Sequence, residues 1–595
     1  MDPSNKRVLL LIGFLGFFAA LLSPIPLSGS ILGSVDSMFI PAISNTYLNR
    51  LEAIFTGEPA GQSLYPADIA RYGESGIGLA ATFILLRLVG ASNVLAQYLV
   101  QVLMLALMAY AMFLFSRHFT NNSFPAVVAG LGFGASNFLW ANVDDLPIHF
   151  YFLPLIAGHL VMRAYKTRRP RDLVLGGVIG GLQVYASGQV FAYQTILITI
   201  LVLFHFRQWW QDFTSRTKIA FVAAYLLIPL PRILYYLNTV FRLELIDVWP
   251  MSTQMSCYFL QLPAFLTSLP GKLISYGFVD EFLSTIPFTP FCDVRQSAFI
   301  GLMIPLLAAG GLIVAIQNRD KGLLALFVLS VVGVILALGP SIVFAGNRFV
   351  SPVALFYQYV PLSQFLRVGL RSYSLSILGL SVLAATGLDH VYCLLKRRSR
   401  ILAVITVGLS LLVVLGENIS WPLNRYETIP YPSTPPGYKS FFADKPEAVI
   451  LDLPALSHSW PGYMDEIRYV LWQTDHKRNI VGGVTGYYPV SRVEMQHYTD
   501  QLPSDQAFRY LQELGVTHLI WHDSPHLHSV IEGTFMTTGQ ISNTGEQLPG
   551  RDYEWLRNSP WLTKVFENDE MRIFRLHNPA SSNESPGPVR VSGWD

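Results

Sequence analysis

Charge is what this sequence has least of. Asp, Glu, Lys and Arg make up only 13% of its 595 residues against 52% hydrophobic, about half the charge of an average soluble domain, and this excludes an ordinary soluble enzyme. The formal net charge is +2, and no basic stretch is interleaved with aromatics, so nothing points to a nucleic-acid partner. Cysteine is scarce as well. Cys257, Cys292 and Cys393 are too few for a disulfide scaffold or a cysteine metal site. A single Cys257–Cys292 bridge stays open beside two free thiols, since both residues fall in one loop expected outside the membrane. No P-loop, GxSxG or HExxH motif stands in a supporting context, which argues against an NTPase, an α/β-hydrolase and a membrane zinc protease.

What charge there is lies unevenly. Nearly half of the charged residues fall between Asn418 and Asp595, so the chain reads as a membrane body followed by a water-soluble tail. In the body, apolar runs long enough to approach a bilayer crossing start at Val8, Val94, Phe124, Ile148, Leu173, Phe191, Ile219, Ala298, Leu323, Tyr373 and Ile401, giving about eleven candidate transmembrane helices. Alternate loops then collect Lys6 and Arg7, Arg117, Lys166 to Arg171, Arg207 to Lys218, Arg319 and Lys321, and Lys396 to Arg400. The loops between them are acidic. The positive-inside rule therefore predicts a cytoplasmic N-terminus and an extracytoplasmic tail. Ile77 to Val89, short and carrying Arg87, is expected to lie on or partly in the outer leaflet, because a crossing there would invert every later loop.

Residues 1–417 are thus expected to form the transmembrane domain, with large outer loops at 29–76, 238–297 and 340–371. An α/β domain is expected over 418–578 and a flexible end over 579–595. AVILDL from Ala448 and VTHLIW from Val516 read as buried strands, and Leu562 to Phe566 with Met571 to Leu576 as a hairpin. The helix from Asp505 ends before Gly515.

Three outer constellations carry the candidate chemistry. Asp36, just beyond the first span among apolar neighbours, suits a general base or a cation ligand, although a loop aspartate or helix cap explains it too. Asn142, Asp144, Asp145 and His149 combine oxygen and nitrogen ligands in one short loop; an acidic helix cap is the alternative. Arg367 and Arg371, four residues apart on one helical face, could clamp a phosphate together with Arg348, or simply reach for lipid headgroups. Gln183, Tyr185, Gln189, Tyr193, Gln194 and Arg232 are polar residues on the fifth to seventh spans, suited to a sugar-sized cavity or to interhelical hydrogen bonds. His522, His526 and His528 lack a firm zinc pattern.

The order of these motifs resembles the GT-C superfamily of integral membrane glycosyltransferases, and more narrowly the YfhO-like bacterial membrane proteins. The matching residues are Asp36 with SLYPADIARYGESGIGLAATFILLRLVG, the His motif before FYFLPL, YASGQVFAYQ, LALGP, QFLRVGLRSYSLSILGLSVLAATGL, AVILDLPA, YVLWQTDHKRNIVGGVTGYYP and LQELGVTHLIW. The resemblance implies a polytopic α-helical GT-C fold in the bacterial cytoplasmic membrane. It further implies an inverting transfer of a sugar from a polyprenyl-phosphate donor to an extracytoplasmic glycan, lipid or protein acceptor. Asp36 matches the essential acid of the first outer loop. Arg367 and Arg371 match the donor-phosphate site, with Asp144, Asp145 and His149 at the cavity mouth. Several GT-C families pair two acids where this chain has Asp36 followed by Ser37, so the use of a divalent cation (Mg or Mn) is left open. A non-catalytic transporter, assembly or scaffold protein handling lipid-linked glycans is the second expectation.

Overall fold

A computed structural model of the chain describes residues 3–22, 30–32, 35–57, 60–61, 77–142, 150–243, 246–247, 298–344, 347–359, 369–419, 428–435, 437–453, 460–483, 487–488, 490–499, 501–522 and 554–579. They fold as two compact units. The first comprises Met1–Leu32, Val94–Leu234 and Trp249–Thr428, and the second Gly33–Asn93, Tyr235–Val248 and Ile429–Asp595.

In the first unit each expected apolar run falls on a helix: Pro3–Leu22, Asn93–Ser116, Ser123–Gly134, Phe152–Thr167, Pro170–Ala186, Gly188–Phe204, Ser215–Leu227, Met303–Asn318, Lys321–Leu338, Tyr373–Lys396 and Arg400–Asn418. Among the described residues, five helices are long and apolar enough to cross a membrane alone: Asn93–Ser116, Ser215–Asn238, Lys321–Leu338, Gly369–Lys396 and Arg400–Asn418. A sixth is added if Gly188–Phe204 and Phe206–Asp212, bent by 75°, count as one span. Most of the other helices fall short of the roughly 20 residues that a full crossing takes.

Small residues set the spacing of the helices, as expected where lipid offers no hydrophobic drive for association. A Cβ added at Gly311 would stand 1.9 Å from the Leu383 carbonyl oxygen, and one at Gly387 2.2 Å from that of Leu307. One at Gly379 would stand 2.4 Å from the Leu326 oxygen, and one at Gly333 2.7 Å from the Ser376 nitrogen. The Tyr373–Lys396 helix therefore rests on the backbones of Met303–Asn318 and Lys321–Leu338. Leu306, Ile313, Ile401 and Leu412 are exposed, as on a lipid-facing surface.

Buried acids tie the helix ends together. Asp389, 4% exposed, accepts from the backbone and side-chain nitrogens of both Asn121 (2.8 and 3.2 Å) and Asn122 (3.2 and 2.8 Å). Glu417, fully buried, accepts from the backbone N–H groups of Leu302 (3.0 Å) and Met303 (3.2 Å), satisfying donors that the start of a helix cannot pair within itself.

The second unit centres on a five-stranded sheet. Its strands are β1 (Val449–Leu453), β2 (Asn479–Ile480), β3 (His518–His522), β4 (Leu562–Glu567) and β5 (Met571–Leu576), in the order β4-β5-β3-β1-β2. β1 runs parallel to β2 and β3, while β5 is antiparallel to β3 and β4. Alternation along β1 sends Val449, Leu451 and Leu453 into a core with Phe508, Leu511, Leu519, Trp561 and Phe574. Ile450 and Asp452 take the other face, which carries Tyr438 and Trp472.

Residues 33–93 and 235–248, which include most of the expected outer loop 29–76, the segment Ile77 to Val89 expected at the outer leaflet and the start of the expected loop 238–297, belong to this unit by packing. The helix Val35–Thr56 contacts Trp460–His476: Asn49 donates to the Thr474 carbonyl at 2.7 Å, and Lys477 pairs with Glu52 at 2.8 Å. Residues 246–247 pair antiparallel with 487–488. The polar Ser44-Asn45-Thr46 and the internal Pro41 hide this helix from an apolar-run reading, since proline deletes one helical hydrogen bond.

Candidate functional site

Arg371 is the expected phosphate ligand whose surroundings the structure describes. It sits on a single 3-10 turn, Gly369–Ser372, at the head of the Tyr373–Lys396 helix. The turn is pinned on several sides. Ser372 Oγ lies 2.7 Å from the Gly369 oxygen and 3.2 Å from that of Gly333, and Ser376 donates to the Ser330 carbonyl at 2.7 Å. The Arg371 carbonyl accepts from the hydroxyls of Tyr151 (3.1 Å) and Ser374 (2.6 Å).

The half-buried guanidinium reaches another part of the bundle. Its Nη1 donates to Oε1 of Gln189, in the first turn of Gly188–Phe204, and Gln189 Nε2 donates to the Tyr193 hydroxyl at 2.9 Å. Ser187 caps that helix by accepting from the Val190 N–H at 3.3 Å. Arginine and a helix N-terminus both favour an anion, and the fork of a guanidinium matches two phosphate oxygens once its plane is held. Gln189 thus emerges from the six polar residues singled out on these spans as a partner of Arg371, with Tyr193 behind it.

Gln194 and Tyr185 bond to neighbouring helices. Gln194 Nε2 donates to the Gly180 carbonyl at 2.9 Å and to the Tyr225 hydroxyl at 3.2 Å, and Tyr185 donates to the Ile228 carbonyl at 2.9 Å. Gln183 is fully buried, and its Oε1 has no hydrogen-bond partner among the described residues. Asn142, also fully buried, donates to the Phe138 carbonyl at 2.7 Å.

Asp36 is the second residue of the helix Val35–Thr56, in the other unit, so it opens a helix rather than standing in a loop. Arg348 lies on the strand Asn347–Val350, paired antiparallel with Ser341–Phe344. Asp144, Asp145, His149, Arg367, Cys257 and Cys292 lie outside the described residues. Cys393 is a free thiol that lies 3.4 Å from Asn122 Nδ2. Among the described residues no group of three or more His, Cys, Asp or Glu side chains is placed to hold a metal ion.

No protein-family model matches the sequence, and no curated protein matches it. Solved structures do. The arabinofuranosyltransferase AftD from Mycobacteria aligns at a TM-score of 0.58 and 15% identity, over 97% of this chain and 40% of that one. A mutant of the same enzyme in two classes aligns at 0.51 and 0.50, again at 15% identity, over 96% and 95% of this chain. The chain spans about 40% of the length of these proteins, and the likeness is one of fold alone.

Proposed function

From a chain with this fold, we propose a membrane glycosyltransferase that moves a sugar from a polyprenyl-phosphate donor to an acceptor on the extracytoplasmic side, with inversion at the anomeric carbon. The observation that carries the proposal is the seated arginine: Arg371 on a pinned turn, aimed by Gln189. In this reading eleven helices enter the membrane, the N-terminus is cytoplasmic and the C-terminal domain, 418–578, is extracytoplasmic, consistent with basic loops on one side and acids on the other.

The chemistry is a single displacement. The acceptor oxygen attacks the anomeric carbon while its proton passes to the Asp36 carboxylate, and the bond from that carbon to the phosphate oxygen breaks with its electron pair. Polyprenyl phosphate departs, and Arg371, with Arg367 and Arg348, offsets the charge that grows on it. Attack from the face opposite the leaving group inverts the centre. One pre-organised donor to a developing anion contributes about 10²- to 10³-fold in rate. Asp144, Asp145 and His149 are proposed as supporting residues at the cavity mouth. An arabinofuranosyl donor, the sugar named for the solved neighbours, is the first to try.

The test uses membranes containing the full chain and labelled polyprenyl-phosphate sugars, with the Asp36→Asn variant beside the parent. Transfer by the parent and none by the variant is the expected result. Equal transfer by both removes Asp36 from the mechanism, and no transfer by the parent turns the assignment to the second reading, a non-catalytic transporter, assembly or scaffold protein for lipid-linked glycans.

A further inference from the structure

The second unit holds a buried polar cluster that the transfer chemistry does not use. β1 and β3 lie side by side and parallel, Asp452 opposite Ile520 and Leu453 opposite Trp521. From β1 the chain proceeds through the Trp460–His476 helix to β2 on one side, and from β3 to β4 and β5 on the other. Adjacent strands whose onward connections part in this way open a crevice at their carboxyl ends, where open α/β sheets bind ligands. Asp452, near the end of β1, and His522, the last residue of β3, stand at that point.

Asp452 Oδ1 is fully used: it accepts from the Tyr438 hydroxyl at 2.8 Å and lies 2.8 Å from Nε2 of His522. Aromatic rings close around the pair. Tyr469 stacks on the His522 imidazole at 5.1 Å and 22°, and the Trp472 ring lies 5.0 Å from it. Yet Asp452 Oδ2, His522 Nδ1, Trp472 Nε1 and His476 Nε2 are buried with no hydrogen-bond partner among the described residues. The Asp452 and His522 side chains are 2% and 8% exposed.

Unpaired buried polar groups are costly, so four in one cluster define the partner that fits. Oδ2 can only accept. The indole N–H of Trp472 can only donate. His476 takes the Arg478 backbone N–H on Nδ1 at 3.1 Å, which leaves Nε2 as a donor, and His522, donating from Nε2, has an acceptor at Nδ1. The Asp452 carboxylate repels phosphate and other anions. Hydroxyl groups donate and accept at once, which matches a set that mixes donors with acceptors.

We propose that the crevice between the ends of β1 and β3 is a binding subsite for a neutral carbohydrate, with Asp452 and Trp472 as its hydroxyl ligands. The subsite stands apart from the transfer reaction, because it needs neither the lipid donor nor Asp36.

The test is equilibrium binding to the full chain in lipid nanodiscs, without donor, using a panel of soluble furanose and pyranose oligosaccharides. At least one is expected to bind, with affinity weakened about ten- to a hundredfold in Asp452→Asn and in Trp472→Phe, the loss of one hydrogen bond to a charged or buried group. If Asp452→Asn fails to fold by circular dichroism, Trp472→Phe, which preserves an aromatic ring, decides. No binding by any member of the panel, as when ordered water alone fills the cluster, overturns the proposal. So does binding that both variants leave unchanged. Neither result touches the transferase assay, which reads labelled product.

Discussion

Arg371 and Gln189 stand 182 residues apart in the chain and share a hydrogen bond from Nη1 to Oε1. The contact fixes the plane of the guanidinium at the head of one helix by an amide in the first turn of another. Tyr193 in turn holds the amide group of Gln189.

Replacing Arg371 by Ala is expected to lower the rate of sugar transfer about 10²- to 10³-fold. Lys at this position, keeping the charge and losing the planar fork, should recover only part of it. Gln189→Leu, a change to a positioning residue, should cost about five- to tenfold, near the worth of one hydrogen bond. Initial rates with labelled donor check all three, and an Arg371→Ala enzyme as fast as the parent would separate this arginine from the donor.

Asp389 gathers four donors from Asn121 and Asn122 in a site 4% exposed. Asp389→Ala removes the carboxylate from all four, leaving Asn122 Nδ2 only the Cys393 sulfur, and should destabilise the first unit by about 3 kcal/mol or more. Asp389→Asn, which keeps one carbonyl oxygen, should cost less. Thermal unfolding in detergent reads the difference, and equal melting temperatures would show the cage to be dispensable.

Glu417 bonds the first N–H groups of a helix more than a hundred residues earlier, Leu302 and Met303, and its neighbour Asn418 donates to the carbonyls of Ile300 (3.1 Å) and Val414 (2.8 Å). Glu417→Ala should release this junction at a cost of about 2–3 kcal/mol. Limited proteolysis near residue 300 is expected to quicken in parallel with the loss of melting temperature.

Two histidines give the second unit a pH dependence of defined sign. Burial, then the charge of Arg478, lowers His476 to about 3; burial, then Arg575 and Lys445, lowers His518 to about 4. The unfolded chain takes up protons near pH 6.5, well before the folded one does. Stability is therefore full above about pH 6.5 and declines as pH falls toward 4. Melting curves across that window should show the decline, and His518→Gln should reduce its slope while His476 maintains the rest; a parent curve without slope would contradict the assignment.

The helices of the first unit were legible because a lipid-facing helix is apolar over most of its length, so its run needs no partner to be seen. The helix Val35–Thr56 was not. It carries Asn45, Asn49 and Pro41, and its partner lies 425 residues away. Arg371 stood out as a charge in a neutral sequence, whereas Gln189 was one of six polar residues with equal claim until the fold paired it. Asp452 passed as part of a buried strand, although a carboxylate inside AVILDL was itself a signal: an acid in the middle of an apolar strand must find donors.

Gly311, Gly333, Gly379 and Gly387 leave no side-chain layer between the Tyr373–Lys396 helix and its two neighbours. Backbones in direct contact cannot shear past one another by rotamer changes, so these three helices travel as one block through any turnover cycle, with Arg371 at its head. Under the proposed function a donor lipid would meet its phosphate ligand on the least deformable part of the bundle, and the apolar chain behind the phosphate would find its room among the other helices.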